Sequence, residues 1–230
     1  MDPNLKLLEA VVERLGPLTA DLVFIGGSVA GLLITDEAAP PPRPTTDVDV
    51  IVEATTLLQY EEVKTRLRGC GFEEDPTAAH MCRWTDGTAL LDVMPTSEKL
   101  LGFTNPWYAP AMTHSERRTL PGGAVLRCAS APYFVATKLV AFHDRGKGDY
   151  YASHDLEDLT AVVNARLALA DEIAQADDDV RTFIEGEFSA LIETPDFLQA
   201  LPGLVIEDSP DGQRAALVLE RFRTIARGAS

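Results

Sequence analysis

An apolar run that breaks on two glycines and a serine constrains this chain more than any other feature. It is followed, after a proline-rich stretch, by two aspartates one residue apart at the head of a second apolar run. Residues 22–25 read as a strand, Gly26-Gly27-Ser28 as a tight turn, and Val29 as the start of a helix. Glycine lets a phosphate approach the backbone closely, and the first N–H groups of a helix point at such a group. Strand side chains alternate with period two, so Asp47 and Asp49 share one face while Val48, Val50 and Val52 share the other. Two carboxylates converging beside a phosphate cradle suit Mg²⁺, which prefers one or two carboxylates together with substrate phosphates.

The rest of the composition narrows the partners. The chain has 230 residues and a formal net charge of −16. Proteins that track nucleic acid usually present a basic face, so this balance favours a free nucleotide carrying Mg²⁺, or an acceptor that is not a nucleic acid. No apolar run approaches a membrane span, and the first residues lack a basic start followed by an apolar core. The expected location is therefore cytoplasmic, with no membrane partner. Cys70, Cys82 and Cys128 are scattered and lack metal-pair spacing, which reads as reduced and structural. The acidic stretch 171–187 is expected to face water.

Helical spacing of Leu5, Leu8, Val11, Val12 and Leu15 predicts a first helix ended by Gly16-Pro17. Residues 29–34 predict a buried helix. Four prolines between 38 and 44 predict an exposed loop that carries Arg43 and Thr45 to the mouth of the site. A strand over 49–52 follows, then a helix over 55–68 with Leu57, Leu58, Tyr60, Val63 and Leu67 on one side, ended by Gly69 and Gly71. Two strands, 81–84 and 89–94, meet at Asp86-Gly87, a strong hairpin signal. Residues 99–115 read as irregular, with Trp107 and Tyr108 seating a loop. A second hairpin, 117–120 with 124–128, turns at Pro121-Gly122-Gly123. A domain boundary falls near 129–132, and the remainder reads as helix, including 180–192, 197–201 and 215–225, broken by Pro195, Pro202, Gly203, Pro210 and Gly212. The last helix gathers Arg214, Arg221, Arg223 and Arg227, read as a solvated face and, more weakly, as a contact for a nucleic-acid acceptor or an acidic partner.

The residues Gly27, Ser28, Arg43, Thr45, Asp47 and Asp49 form a pattern, Gly-Ser, a dozen or so residues, then Arg-x-Thr-x-Asp-x-Asp. It resembles the first motif of the DNA polymerase β-like nucleotidyltransferase superfamily, and within it most closely the AbiE-type (AbiEii-like) toxin nucleotidyltransferases. The resemblance implies an α/β fold: a mixed-sheet nucleotidyltransferase domain over 1–129 and a helical C-terminal domain over 130–230. It asks for a third acid on a neighbouring strand, and Asp92, a lone charge in Leu90-Leu91-Asp92-Val93-Met94, answers it. Related toxins carry a basic residue where this chain has Leu91. Lys138 and Arg145 match the Lys-x6-Arg motif that serves the nucleotide triphosphate, a point charge and a bidentate fork both suiting phosphate. The last family motif is an aspartate at a helix start. Asp155 and Asp158 are both candidates, and Asp155 also suits an N-cap for a helix over 156–164.

The implied reaction is transfer of a nucleoside monophosphate from a nucleoside triphosphate to an acceptor hydroxyl. Asp47, Asp49 and Asp92 would hold two Mg²⁺ ions, or Mn²⁺, flanking an in-line displacement. Asp155 would assist the acceptor step. The AbiE-type resemblance implies a tRNA acceptor and an antitoxin partner. The aminoglycoside nucleotidyltransferases of the same superfamily share the Gly-Ser…Asp-x-Asp pattern, and an acidic surface suits a cationic small acceptor. A non-catalytic nucleotide-binding regulator is the remaining alternative.

Overall fold

The computed structural model describes residues 2–78, 80–102, 104–146, 148–205 and 213–228; Pro210 and Gly212, read as helix breakers, lie outside them. Helix α1 (Pro3–Leu15) begins where Asp2 accepts the Asn4 N–H at 2.8 Å and stops at Gly16, whose φ is 53°. Strand β1 (Leu22–Ile25) is buried throughout. A 3-10 turn, Gly27–Val29, leads into a single helical turn, α2 (Ala30–Leu33). The helix expected over 29–34 is thus shorter. It ends because the Thr35 and Asp36 N–H groups donate to the distant Ala165 carbonyl, at 3.0 and 2.9 Å, in place of continuing the helical ladder.

Strand β2 (Asp47–Val52) starts at the first aspartate. Helix α3 (Leu57–Gly69) is opened by a reciprocal cap between Thr56 and Gln59. Only Tyr60, Val63 and Leu67 of its predicted apolar side are buried; Leu57 and Leu58 are 67% and 72% exposed. The first turn is held by its polar cap, and burial begins at Tyr60, whose hydroxyl donates to the Val93 carbonyl at 2.9 Å. Strands β3 (Glu73–Glu74), β4 (Arg83–Thr85) and β5 (Leu90–Pro95) follow. The segment expected to be irregular contains two short helices, α4 (Glu98–Leu101) and α5 (Tyr108–Thr113), each too brief to show a helical period. Trp107 and Tyr108 are half-buried at the start of α5. Strands β6 (Ser115–Thr119) and β7 (Val125–Ala129) form the second hairpin.

The described strands make a seven-stranded mixed sheet in the order β3-β4-β5-β2-β1-β7-β6. Strand β2 runs antiparallel to β1 and parallel to β5, and β1 runs parallel to β7. The central strands bury Phe24, Val48, Val50, Ile51, Leu91 and Val93 completely.

Two compact units emerge: Met1–Leu32 with Pro44–Ser130, and Leu33–Arg43 with Ala131–Ser230. The proline-rich loop therefore groups with the helices. The second unit contains α6 (Ala131–Gly146), α7 (His154–Ala165), α8 (Leu169–Ala174), α9 (Asp178–Glu193), α10 (Pro195–Leu204) and α11 (Gln213–Arg227). Pro202 does not break the segment; it sits inside the last turn of α10. Stacked rings Phe188 and Phe222, with centroids 4.7 Å apart, and Phe197 against Phe222 at 5.2 Å, form its aromatic centre.

The end of α7 shows why the loop and α11 belong to this unit. Its last carbonyls have no partner within the helix. Arg221 donates to the Val163 and Asn164 carbonyls, and Thr35 and Asp36 answer Ala165. Arg214 reaches the Asn164 side chain at 3.1 Å, and Arg166 donates to the Leu33 carbonyl at 2.8 Å. Of the α11 arginines, Arg214 and Arg221 thus turn to the end of α7, while Arg223 and Arg227 are exposed, as the solvated-face reading expects, and pair with Glu220. The three cysteines are free, and among the described residues no helix is long and apolar enough to cross a membrane.

Candidate active site

Register brings the acids of the first unit together. Asp49 and Asp92 are direct partners across the parallel β2–β5 pair, and Asp47 faces Leu90 one step along. Period two then puts Asp47, Asp49 and Asp92 on one face of the sheet. Their backbone neighbours Val48, Val50, Leu91 and Val93 point away and are buried. The Thr45 hydroxyl donates to Asp47 at 2.8 Å, so it orients a carboxylate.

Across β1, Ile25 is the register partner of Asp49, and the chain then turns at Gly26. Gly26 has φ 75° and ψ −170°, and a Cβ built on it would lie 1.9 Å from Asp49 Oδ2 and 2.9 Å from Asp49 Cβ. The Asp49 carboxylate therefore rests directly on the backbone of the turn, in space that only glycine leaves open. Among the glycines of the motif, Gly26 shapes the acid site, while the sequence pattern pointed to Gly27 and Ser28. Both of those are buried, and the Ser28 hydroxyl donates back to the Ile25 carbonyl at 3.4 Å.

Sequence reasoning missed Arg83. It is the register partner of Asp92 across the antiparallel β4–β5 pair. Its Nε and Nη2 grip Asp92 at 2.8 and 2.7 Å, and Nη2 also reaches Asp47 at 2.9 Å. These bonds to Asp92, opposed by partial burial and reinforced by the charge of Asp47 and Asp49, hold the guanidinium above its ordinary pKa. The signal was available: counting back across the Asp86-Gly87 turn puts residue 83 opposite residue 92. Next to it, burial and then the Asp92 charge push the Cys82 thiol up to about 11.

The donor set suits Mg²⁺ or Mn²⁺: it offers carboxylate oxygen alone. A cation already bridges two of the three acids, in the form of the Arg83 guanidinium. Among the described residues no three acidic, histidine or cysteine side chains are gathered as a ready ion cage. The aspartates thus share a face and a register position, and the guanidinium lies on two of them.

The second unit holds its own ion cluster. Lys138, only 6% exposed, bonds Asp155 at 3.1 Å and Asp158 at 2.6 Å. Arg145, two turns along α6, reaches both oxygens of Asp155 at 3.0 and 3.1 Å. Arg43 pairs with Asp158 at 2.9 Å and with Glu157 at 3.6 Å. Arg43 thus has carboxylate partners on α7 of the helical unit. Asp155 is not an N-cap, because Ser153 caps α7 by accepting the Leu156 N–H at 3.3 Å. With the capping role filled, the Asp155 carboxylate turns to Lys138 and Arg145. Both Asp155 and Asp158 are buried, Asp158 the more completely.

Comparison with known structures agrees on the fold. The chain is similar to the solution structure of the antibiotic-resistance factor ANT(2'')-Ia, at 13% identity and a TM-score of 0.50, covering 84% of this chain and 97% of that one. It is also similar to the crystal structure of ANT(2'')-Ia in complex with adenylyl-2''-tobramycin, at 14% identity and a TM-score of 0.50, covering 81% and 97%. No family model and no curated protein matches the chain. The fold shared with these structures is a mixed α/β sheet followed by a helical C-terminal region.

Proposed function

We propose that this protein is a nucleotidyltransferase that moves a nucleoside monophosphate from a nucleoside triphosphate to an acceptor hydroxyl. One observation carries the reading: Asp49 and Asp92 are register partners on parallel strands, with Asp47 on the same face and the Gly26 turn beneath Asp49. Asp47, Asp49 and Asp92 would hold Mg²⁺, or Mn²⁺ in its place, which when bound offsets phosphate charge and lowers the pKa of the acceptor hydroxyl. Thr45 orients Asp47, and Gly26 keeps the Asp49 carboxylate in place. Gly27 and Ser28 stand for the phosphates, with the Ser28 hydroxyl turning away from the Ile25 carbonyl to do so. Lys138 and Arg145 would exchange carboxylate for phosphate, and Asp155, released from both, would assist the acceptor step. Asp158 keeps Arg43 and is the weaker candidate for that role. Little proton transfer by side chains is needed, because this class of transfer rests on positioning and electrostatics.

Two acceptors divide the reading. The net charge of −16 favours a cationic small molecule of the aminoglycoside kind. The ANT(2'')-Ia complex, with its adenylyl-2''-tobramycin, supports that choice as a likeness of fold. The AbiE-type reading, a tRNA acceptor and an antitoxin partner, is supported by the convergence of Lys138 and Arg145 on Asp155, which gives that motif's spacing a common target.

The test is incubation with each α-labelled nucleoside triphosphate, Mg²⁺, and either total cellular RNA or a panel of aminoglycosides, beside Asp47→Ala and Asp49→Ala. Label should move to one acceptor class and fall by at least about 10²-fold in both variants, the scale of losing a preorganised charge at a reacting centre. Label in an aminoglycoside selects the small-molecule reading, and label in RNA selects the toxin reading. Transfer that survives both substitutions refutes the carboxylate centre.

A further inference from the structure

We propose that Arg83 is the resident counterion of the carboxylate centre, and that a divalent ion enters by displacing its guanidinium from Asp92 and Asp47. The inference rests on the reading of Asp47, Asp49 and Asp92 as the metal centre. Arg83 uses both oxygens of Asp92, at 2.8 and 2.7 Å, and one of Asp47, at 2.9 Å. A guanidinium binds carboxylates edge-on, through N–H groups spread over a plane. A Mg²⁺ ion needs oxygen ligands close around one point, in near-octahedral geometry. The same Asp92 oxygens cannot serve both. Without a cation between them, the Asp47 and Asp92 carboxylates, on one face of adjacent strands, repel one another. The guanidinium removes that repulsion and fixes the two side chains.

The surroundings let Arg83 leave. Its side chain is 27% exposed, and β4 is flanked on its outer side by a strand of only two residues, Glu73–Glu74. Its two acid partners belong to different strands, so each can keep its backbone place when the guanidinium withdraws. Arg83 is thus a positioning residue with a consequence for affinity. It holds Asp47 and Asp92 at one face while making the bare ion pay an exchange for entry.

The experiment is Mn²⁺ titration by calorimetry on the full chain, comparing the parent with Arg83→Gln, Arg83→Ala, Arg83→Lys and Asp49→Ala. Arg83→Gln and Arg83→Ala should bind Mn²⁺ on the order of tenfold tighter, the scale of losing a charge-assisted competitor. Arg83→Lys, which keeps the charge and loses the fork, should fall between them and the parent. Asp49→Ala should lose the binding. Melting in the presence and absence of Mn²⁺ gives a second readout, and the Mn²⁺-dependent rise should be larger in Arg83→Gln than in the parent. An arginine with a merely structural role would do the reverse, since its removal would loosen the site and weaken the ion. Unchanged or weaker Mn²⁺ binding in both Arg83→Gln and Arg83→Ala, with Asp49→Ala still abolishing it, overturns this inference and leaves the metal centre standing. Absence of Mn²⁺ binding in the parent and every variant overturns the metal centre itself. Should Arg83→Ala fail to fold, Arg83→Gln, which keeps more of the side chain and no charge, decides alone.

Discussion

Gly26→Ala is the substitution whose outcome the structure fixes most tightly. With φ 75° and ψ −170°, Gly26 occupies backbone space that side-chain-bearing residues avoid, and forcing one there costs on the order of 1–3 kcal/mol. The added methyl would also meet Asp49 Oδ2 at 1.9 Å, Cγ at 2.7 Å and Cβ at 2.9 Å. Rotating the carboxylate relieves the first contact only. The contact with Cβ requires β1 and β2 to move apart, and overpacking of this kind costs about 1–3 kcal/mol. The sum is about 2–6 kcal/mol, and for a chain of this size each kcal/mol lowers the melting temperature by roughly 2–4 °C. A drop on the order of 10 °C is expected, together with weakened Mn²⁺ binding, because Asp49 is pushed from its place. Urea unfolding followed by circular dichroism and Mn²⁺ calorimetry measure the two effects. Gly186→Ala is the control of opposite sign: it lies inside α9, nothing stands within 4 Å of its added Cβ, and it should stabilise by about 0.5–1 kcal/mol. A Gly26→Ala protein within about 0.5 kcal/mol of the parent, with unaltered Mn²⁺ affinity, would refute the reasoning.

Other expectations test the remaining sites. Lys138→Met should destabilise the chain by about 2–3 kcal/mol, below the full cost of breaking a buried pair because Arg145 and Arg43 still face the two acids. Adding Asp158→Asn should recover part of that loss in a double-mutant cycle of unfolding midpoints, and strict additivity would show that the two groups do not interact. Stability should also fall at high pH through Cys82. Its thiol is raised in the folded chain from an ordinary value of 9.0 to about 11, so the folded state holds the proton more tightly. That contribution is complete below pH 9 and is lost as pH rises toward 11, on a scale of about 2–3 kcal/mol. Urea midpoints at pH 8 and 10.5 should differ less in Cys82→Ala than in the parent, and equal differences would remove Cys82 as the cause.

Much of the site was legible because strand periodicity is a local rule. Asp47 and Asp49 share a face on the count of residues alone, and the Asp86-Gly87 turn fixed the hairpin that carries Asp92. The pairing of β2 with β5 is not local, and it needed the resemblance to a known motif to be anticipated. Arg83 could have been found by carrying the hairpin count one step further. The fate of the proline-rich loop could not, because its partners Ala165 and Asp158 lie more than a hundred residues on. Helices α4 and α5 escaped because four and six residues are too few for a period to show. Lys138 and Arg145 were singled out by resemblance to a motif, and a motif says nothing about whether a cation faces a phosphate or a carboxylate. The structure places Asp155 against both.

The division of the chain also sets a schedule for its synthesis. The sheet unit is complete once Ser130 has been made, yet the stretch Leu33–Arg43 emerges long before the residues it joins. Thr35, Asp36 and Arg43 must wait for Ala165 and Asp158 to leave the ribosome. At roughly 5–20 residues per second that wait is on the order of seconds. Through it the nascent chain carries the unanswered Thr35 and Asp36 N–H groups and Arg43, in a strip whose Pro40, Pro41 and Pro42, with Pro44 beside it, keep it out of the growing sheet. A protein cut after Ser130 would leave that strip without a destination, and residues 131–230 made alone would lack the Thr35 and Asp36 N–H groups that answer the Ala165 carbonyl. Neither half is a self-sufficient product, and a split version of this protein would have to carry the strip on the helical piece.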